Sequence, residues 1–280
     1  MPEGYTGKVC VTVVPTGAVS PGKKRDIALK YTRSDILAFI DDDVYPDKYW
    51  LKNAVLNFSD PSVAAVGGPA VTPPEDGLRQ KASGLIYSSF LVGGTYAYRY
   101  APKAGREVDD YPSCNFLVRR NIMEEVGGFN TDFWPGEDTK FCLDITKRLG
   151  KKIIYDPKAL VYHHRRPVFI PHLKQIASYA RHRGYFVKRF PQTSLRISYF
   201  IPAIFLIFVL AGAVASSLYA PVKTIYLTIL AFYAVLAFIA SINPDIRIIP
   251  LVFLGIILSH LAYGFYFMSG IIAKRLKEDS

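Results

Sequence analysis

Asp41, Asp42 and Asp43 follow directly on the apolar run Ile36-Leu37-Ala38-Phe39-Ile40. Three adjacent carboxylates repel one another unless a proton or a cation compensates. Hard oxygen donors of this kind suit Mg²⁺ or Mn²⁺, ions that commonly also bind a substrate diphosphate. A solvated acidic turn ahead of a helix opening at Pro46 accounts for the same residues without a ligand. A second acidic pair, Glu137 and Asp138, follows Trp134-Pro135-Gly136 and precedes a helical pattern of Phe141, Leu143, Ile145 and Leu149 that closes at Gly150. Acids in a first helical turn stabilise the macrodipole and need no catalytic role, so position alone does not separate the two readings.

These groups need a scaffold, and the flanking sequence supplies one. The run before Asp41 is short and bounded by polar residues, which predicts a strand buried on both faces, as in a parallel sheet, with its carboxyl end where open α/β sheets collect ligands. Residues 8–14 are rich in β-branched side chains and predict another strand. Residues 22–31 have helix-compatible spacing at Ile27, Leu29 and Tyr31. Residues 46–58 predict a helix carrying Trp50, Leu51, Ala54, Val55 and Phe58, and residues 62–68 a further strand stopped by Gly67-Gly68-Pro69. Such alternation argues for a layered α/β domain. Residues 93–112 are rich in Tyr, Gly and charge without a period, which predicts a mobile loop, over a site or simply on the surface.

Half of the 280 residues are hydrophobic, and the apolar residues gather late. Residues 197–220, 224–242 and 248–273 are each near the ~20 residues that cross a bilayer. Pro221-Val222-Lys223 and Asn243-Pro244-Asp245-Ile246-Arg247 separate them. The net charge of +11 is also uneven: no Asp or Glu lies between Asp156 and Asp245, whereas Arg165, Arg166, Lys174, Arg181, Arg183, Lys188, Arg189 and Arg196 precede the first apolar stretch. This is the composition of a cytoplasmic flank facing an anionic lipid bilayer. No nucleic-acid motif accompanies the basic block, which argues against a nucleic-acid partner. Residues 167–190 can align Ile170, Leu173, Ile176, Ala177, Ala180 and Val187 in one stripe, predicting an amphipathic helix on the membrane surface or packed on the preceding domain. Cys10, Cys114 and Cys142 are widely spaced, as in a reduced cytoplasmic domain without a thiolate metal site. No apolar segment follows Met1-Pro2-Glu3-Gly4, so a signal peptide is not expected. The organisation expected is an α/β domain over 1–166, a basic interface helix over 167–196, about three membrane helices over 197–273 and a basic tail over 274–280.

The order of the pieces resembles the family 2 glycosyltransferases, which have the nucleotide-sugar-binding GT-A fold. The resemblance rests on Gly22-Lys23-Lys24-Arg25-Asp26-Ile27-Ala28, Phe39-Ile40-Asp41-Asp42-Asp43, Cys114-Asn115-Phe116-Leu117-Val118-Arg119-Arg120, Val126-Gly127-Gly128-Phe129, Gly136-Glu137-Asp138 and Val161-Tyr162-His163-His164-Arg165. It implies that Asp41 and Asp43 hold a metal on the diphosphate of a nucleotide-sugar donor, with Asp42 near the ribose and Lys24 and Arg25 near the nucleotide and diphosphate. It implies Asp138 and Glu137 as the catalytic acids, with Asp138 the general base, and His163 completing the metal shell, although a surface histidine beside arginines is the commoner arrangement. Asn115, Arg165 and Arg166 fall on the acceptor side, where the two arginines meet phosphate on a lipid-linked acceptor or a lipid headgroup. Displacement at an anomeric carbon releases a nucleoside diphosphate, so a divalent ion neutralises the leaving group while a carboxylate on the opposite side takes the acceptor proton.

Three departures qualify the resemblance. Asp26 stands where many members have Asn. The usual opening strand is missing, so the chain is expected to begin inside the fold, which brings in the rival reading of a non-catalytic membrane scaffold. Processive members carry Gln-x-x-Arg-Trp near the amphipathic segment, whereas this chain has Tyr179-Ala180-Arg181-His182-Arg183-Gly184-Tyr185. That favours transfer of a single sugar to a lipid-linked or growing-glycan acceptor over polymer synthesis.

Overall fold

The computed structural model describes residues 12–129, 131 and 133–276. Among them the strands are β1 (Ile36–Ile40), β2 (Val44–Pro46), β3 (Val63–Gly67), β4 (Ala70–Val71), β5 (Arg106–Val108), β6 (Asn115–Arg119), β7 (Lys152–Tyr155) and β8 (Val161–His163). The helices are α1 (Pro21–Ala28), α2 (Trp50–Leu56), α3 (Leu78–Ser88), α4 (Arg120–Val126), α5 (Glu137–Leu143), α6 (Ile170–Arg189), α7 (Pro191–Ser194), α8 (Ile197–Leu218), α9 (Ala220–Ser241) and α10 (Ile249–Ile272). The chain divides into two compact units, one of residues 12–71, 101–163 and 275–276, the other of residues 72–100 and 164–274.

The first unit is the mixed α/β domain. Its larger sheet has the order β1-β6-β3-β7-β5 and its smaller sheet β2-β8-β4. In the larger sheet only β3 and β7 run parallel; β1 with β6, β3 with β6 and β5 with β7 are antiparallel. This corrects the expected burial of β1. Its one pairing among the described residues is with β6, and of its five residues only Leu37 is buried. The fully buried strand is β3. A core of Trp50, Phe58, Val66, Leu117 and Val161 ties α2 to both sheets.

Three further expectations change. Pro46 does not open a helix: it ends β2 opposite Val161, and the helix begins at Trp50. Residues 93–112 hold a 3-10 turn over Gly94–Arg99 and strand β5, hydrogen-bonded to β7. The strand expected over residues 8–14, like Cys10, falls mainly outside the described residues, and residues 12–14 carry no regular structure.

The second unit is helical and takes in residues 72–100, which the sequence had suggested belong with the sheet. The cause is apolar matching. Ala82 and Ile86 of α3 pack with Val168 and with Ile248, Val252 and Ile256 along α10. α8, α9 and α10 are long and apolar enough to cross a membrane, with mean hydropathy 2.4, 2.1 and 1.8. α6 is one 20-residue helix, as the stripe predicted, and it approaches α10 closely. A Cβ on Gly184 would lie 2.1 Å from the carbonyl oxygen of Phe267, so only glycine fits there. His172 of α6 is buried at the same junction, with Nδ1 2.8 Å from the Ser83 hydroxyl and Nε2 3.0 Å from the Ser259 hydroxyl. Burial, with a smaller contribution from the Arg165 charge, pushes the imidazole down to about 4.

Candidate active site

All of the site acids lie in the first unit, at the ends of its elements. β1 stops at Ile40, and the chain turns through Asp41, Asp42 and Asp43 into β2, with the Val44 N–H donating to the Asp41 carbonyl at 3.2 Å. β2 pairs with β8 so that Val44 lies opposite His163. That register brings His163 Nε2 to 3.2 Å from Asp43 Oδ1. An imidazole and a carboxylate from elements 120 positions apart in sequence are thus adjacent because of one short antiparallel pairing.

α1 contributes a cation. The Arg25 guanidinium donates through Nη2 to Asp41 Oδ1 at 2.8 Å and through Nη1 to Glu137 Oε1 at 3.0 Å, and its face lies over the Phe129 ring at 5.2 Å. α1 is held for this role at two points. Asp26 accepts the Phe129 N–H at 2.9 Å, and Gly22 is close enough to Phe129 and Glu137 that an added Cβ would meet the Phe129 side chain at 3.2 Å. The Asp26 carboxylate therefore has a structural task. Lys24, paired with Arg25 in the sequence reading, is exposed and does not join the acids.

α5 presents the other acids. Gly136 precedes it with φ 125°, a left-handed conformation that side chains other than glycine rarely adopt. Glu137 is 5% exposed, and besides Arg25 it accepts the Gly136 N–H through Oε2 at 3.1 Å. A carboxylate this buried requires such compensation. Asp138 is half-buried; its Oδ1 accepts the Thr139 N–H at 2.8 Å and its Oδ2 the Ser113 N–H at 3.4 Å. Arg25 therefore joins the acid at the end of β1 to the one beside Asp138.

Asn115 corrects the sequence reading. It is fully buried: Nδ2 donates to the carbonyls of Gly68 at 2.6 Å and Ala159 at 2.8 Å, and Oδ1 accepts from Trp50 Nε1 at 2.8 Å. It braces the segment entering β4, the segment entering β8 and the start of α2, and has no surface for an acceptor. Arg165 and Arg166 belong to the second unit and differ from each other. Arg165 is buried, its guanidinium 5.1 Å from the Tyr100 ring and 5.9 Å from the Tyr87 ring, whereas Arg166 is exposed. His164 also differs from its neighbour His163, with Nδ1 2.6 Å from Asp76 Oδ1 within the second unit. Asp110 went unnoticed in the sequence. It is 3% exposed and accepts from the Thr139 hydroxyl at 3.1 Å, which fixes α5 one residue beyond Asp138. Its only signal was a charged residue beside an apolar one in a stretch read as loop.

Among the described residues no group of three or more His, Cys, Asp or Glu side chains is placed to hold a metal ion. Asp43 and His163 do converge as a pair of metal-ligand types, and Asp41 has its Oδ1 on Arg25. A divalent ion that keeps waters and substrate phosphates in its shell needs only one or two protein carboxylates, so the pair fits such an ion.

Residues 36–266 match the profile described as Glycosyl transferase family group 2. A pre-mycofactocin glycosyltransferase of Mycobacterium tuberculosis is 31% identical over 147 residues, which is 52% of this chain and 30% of that protein. A glucosyl-dolichyl phosphate glucuronosyltransferase of Haloferax volcanii is 25% identical over 137 residues, 46% of this chain and 42% of that one. The matched stretch thus spans less than half the length of either relative. Among solved structures, a mannosyltransferase from Pyrobaculum calidifontis in complex with GDP-Man and Mn²⁺ superposes with a TM-score of 0.57 at 19% identity, over 91% of this chain and 68% of that one. At that identity the likeness is one of fold.

Proposed function

This chain belongs to the glycosyl transferase family group 2, and on that premise we propose that it moves one sugar, with inversion, from a nucleotide-diphosphate sugar to a lipid-linked or growing-glycan acceptor at the cytoplasmic membrane face. The observation that carries the reading is the Asp43–His163 pair beside the Asp41 turn, together with the Arg25 bridge from Asp41 to Glu137, the residue next to Asp138. Asp43 and His163, joined by Asp41, would hold Mg²⁺ or Mn²⁺, the kind of ion present with GDP-Man in the Pyrobaculum calidifontis structure. Bound there, such an ion supplies neutralisation of the charge that develops on the departing diphosphate.

The remaining work falls to the chain itself. Asp42, exposed at the turn, is available to the ribose, and Arg25, with Nη1 on Glu137, offers its Nη2 donor to a diphosphate oxygen. Asp138 accepts the proton of the attacking acceptor hydroxyl while the C–O bond to the diphosphate breaks on the opposite face of the anomeric carbon. One such displacement inverts the configuration. The two N–H groups on Asp138 fix its orientation, and Glu137, anchored by Arg25 and Gly136, fixes the helix end that carries it. Glu137 is thus a positioning residue. The acid-free basic stretch from Arg165 to Arg196 supports an anionic-lipid surface, with exposed Arg166 directed to headgroup or acceptor phosphate.

Detergent-solubilised protein incubated with a panel of nucleotide sugars and Mn²⁺ tests the reading. Release of a nucleoside diphosphate that chelator abolishes is the expected result. No release from any donor, in membranes or in detergent, would leave a non-catalytic scaffold as the better description.

A further inference from the structure

Arg25 occupies the carboxylate that the proposed metal needs. Its side chain is 11% exposed, and its guanidinium lies over Phe129 and is bonded at once to Asp41 on the β1 side and to Glu137 on the α5 side. If a divalent ion joined the second oxygen of Asp41 while Arg25 kept the first, the two cations would sit within about 5 Å of each other, and their repulsion would weaken both contacts. Asp43 and His163 alone give a cation two protein ligands, which is a weak site in water. A diphosphate changes the balance, because its oxygens accept from a guanidinium as well as Asp41 does and also contribute ligands to the ion.

Resting on the metal-diphosphate reading above, we propose that Arg25 is an exchangeable counter-ion: it holds Asp41 while the site lacks donor and moves to the diphosphate when donor arrives, so that metal and donor bind together and metal alone binds poorly. The contact to Glu137 serves as the pivot. Because Nη1 stays on a buried carboxylate, Nη2 can change partner with little movement of the side chain, and α1 is held in place by Asp26 and Gly22. The device would keep an idle enzyme from retaining a metal ion and would set the order of binding.

The test needs no turnover. Mn²⁺ binding to the full chain in detergent, without nucleotide, is followed by the paramagnetic resonance signal of free Mn²⁺. Arg25→Met should bind Mn²⁺ about tenfold more tightly than the unaltered protein, within the range usual for two coupled ligands. Arg25→Gln, which keeps a hydrogen bond to Glu137 without the charge, should do the same and carries the test if the Met variant fails to fold. Arg25→Lys should resemble the unaltered protein, because its charge still opposes the ion. Adding Asp41→Asn to Arg25→Gln should return binding to the weak level, which locates the gain at Asp41. Equal, saturable Mn²⁺ affinity in the unaltered protein and the Gln variant would overturn the exchange and leave the metal reading standing. Absence of saturable binding in every variant would overturn both.

Discussion

Replacing Asn115 with Asp separates a buried brace from an acceptor contact. The substitution is nearly isosteric, yet it removes both N–H groups that reach the carbonyls of Gly68 and Ala159 and sets a carboxylate against them in a fully buried position. The bond from Trp50 Nε1 survives. Two lost bonds to buried carbonyls, each costing ~1–3 kcal/mol when the partner is left unsatisfied, give a loss of about 4 kcal/mol. Protonation of the new acid would limit the loss to about 3 kcal/mol by avoiding a buried charge. Trp50 and Trp134 both belong to the first unit and are the only tryptophans, so tryptophan fluorescence during urea unfolding follows that unit alone. A loss of ~3 kcal/mol moves the midpoint down by about 1–3 M urea. A variant that unfolds with the unaltered midpoint while its acceptor KM rises would refute the brace and restore the acceptor role.

Other consequences follow from single contacts. His172 is held neutral with a value of about 4 against an ordinary 6.5, so its contribution is intact above pH 6.5 and declines as pH falls toward 4, where the unfolded chain has already taken up the proton. The loss is about 3 kcal/mol over that window; circular dichroism melts of the helices should show it, and His172→Phe should flatten that part of the curve. Gly184→Ala drives a methyl into the Phe267 carbonyl and should lower the melting temperature measured the same way, by ~2 kcal/mol or more in stability. An unchanged melt would mean that α6 and α10 are not in such close contact. Gly136→Ala forces a side chain into a left-handed conformation at the entrance to α5 and costs ~1 kcal/mol or more. It should lower kcat more than KM, because it disturbs the end that carries Asp138.

What the sequence made legible was local. The apolar run ending in acids, the amphipathic period of α6 and the three apolar spans each lie within one continuous stretch, so residue spacing reveals them. What it concealed depends on pairing at a distance. β2 has three residues, too few for a period, and its partner β8 lies more than a hundred positions away, so Pro46 read as a helix start. Strand β5 hid in a stretch without periodicity because its order comes from bonds to β7. Asn115 stood in an apolar strand, where a polar side chain can signal either a ligand or a brace, and only the positions of Gly68, Ala159 and Trp50 decide between them. Arg25 is pointed to the diphosphate by the sequence motif. Its bridge between Asp41 and Glu137 required the sheet end, α1 and α5 to be brought together, which no spacing rule states.

The central claim is that Asp138 is the base of a metal-assisted, inverting transfer, and Asp138→Asn tests it most directly. Transfer of labelled sugar from the donor identified in the panel should fall by ~10²–10⁴-fold, with Mn²⁺ binding and the fluorescence melt unchanged and the product of the unaltered protein opposite in anomeric configuration to the donor. Transfer by Asp138→Asn at the unaltered rate, or a product that retains the donor configuration, would contradict it.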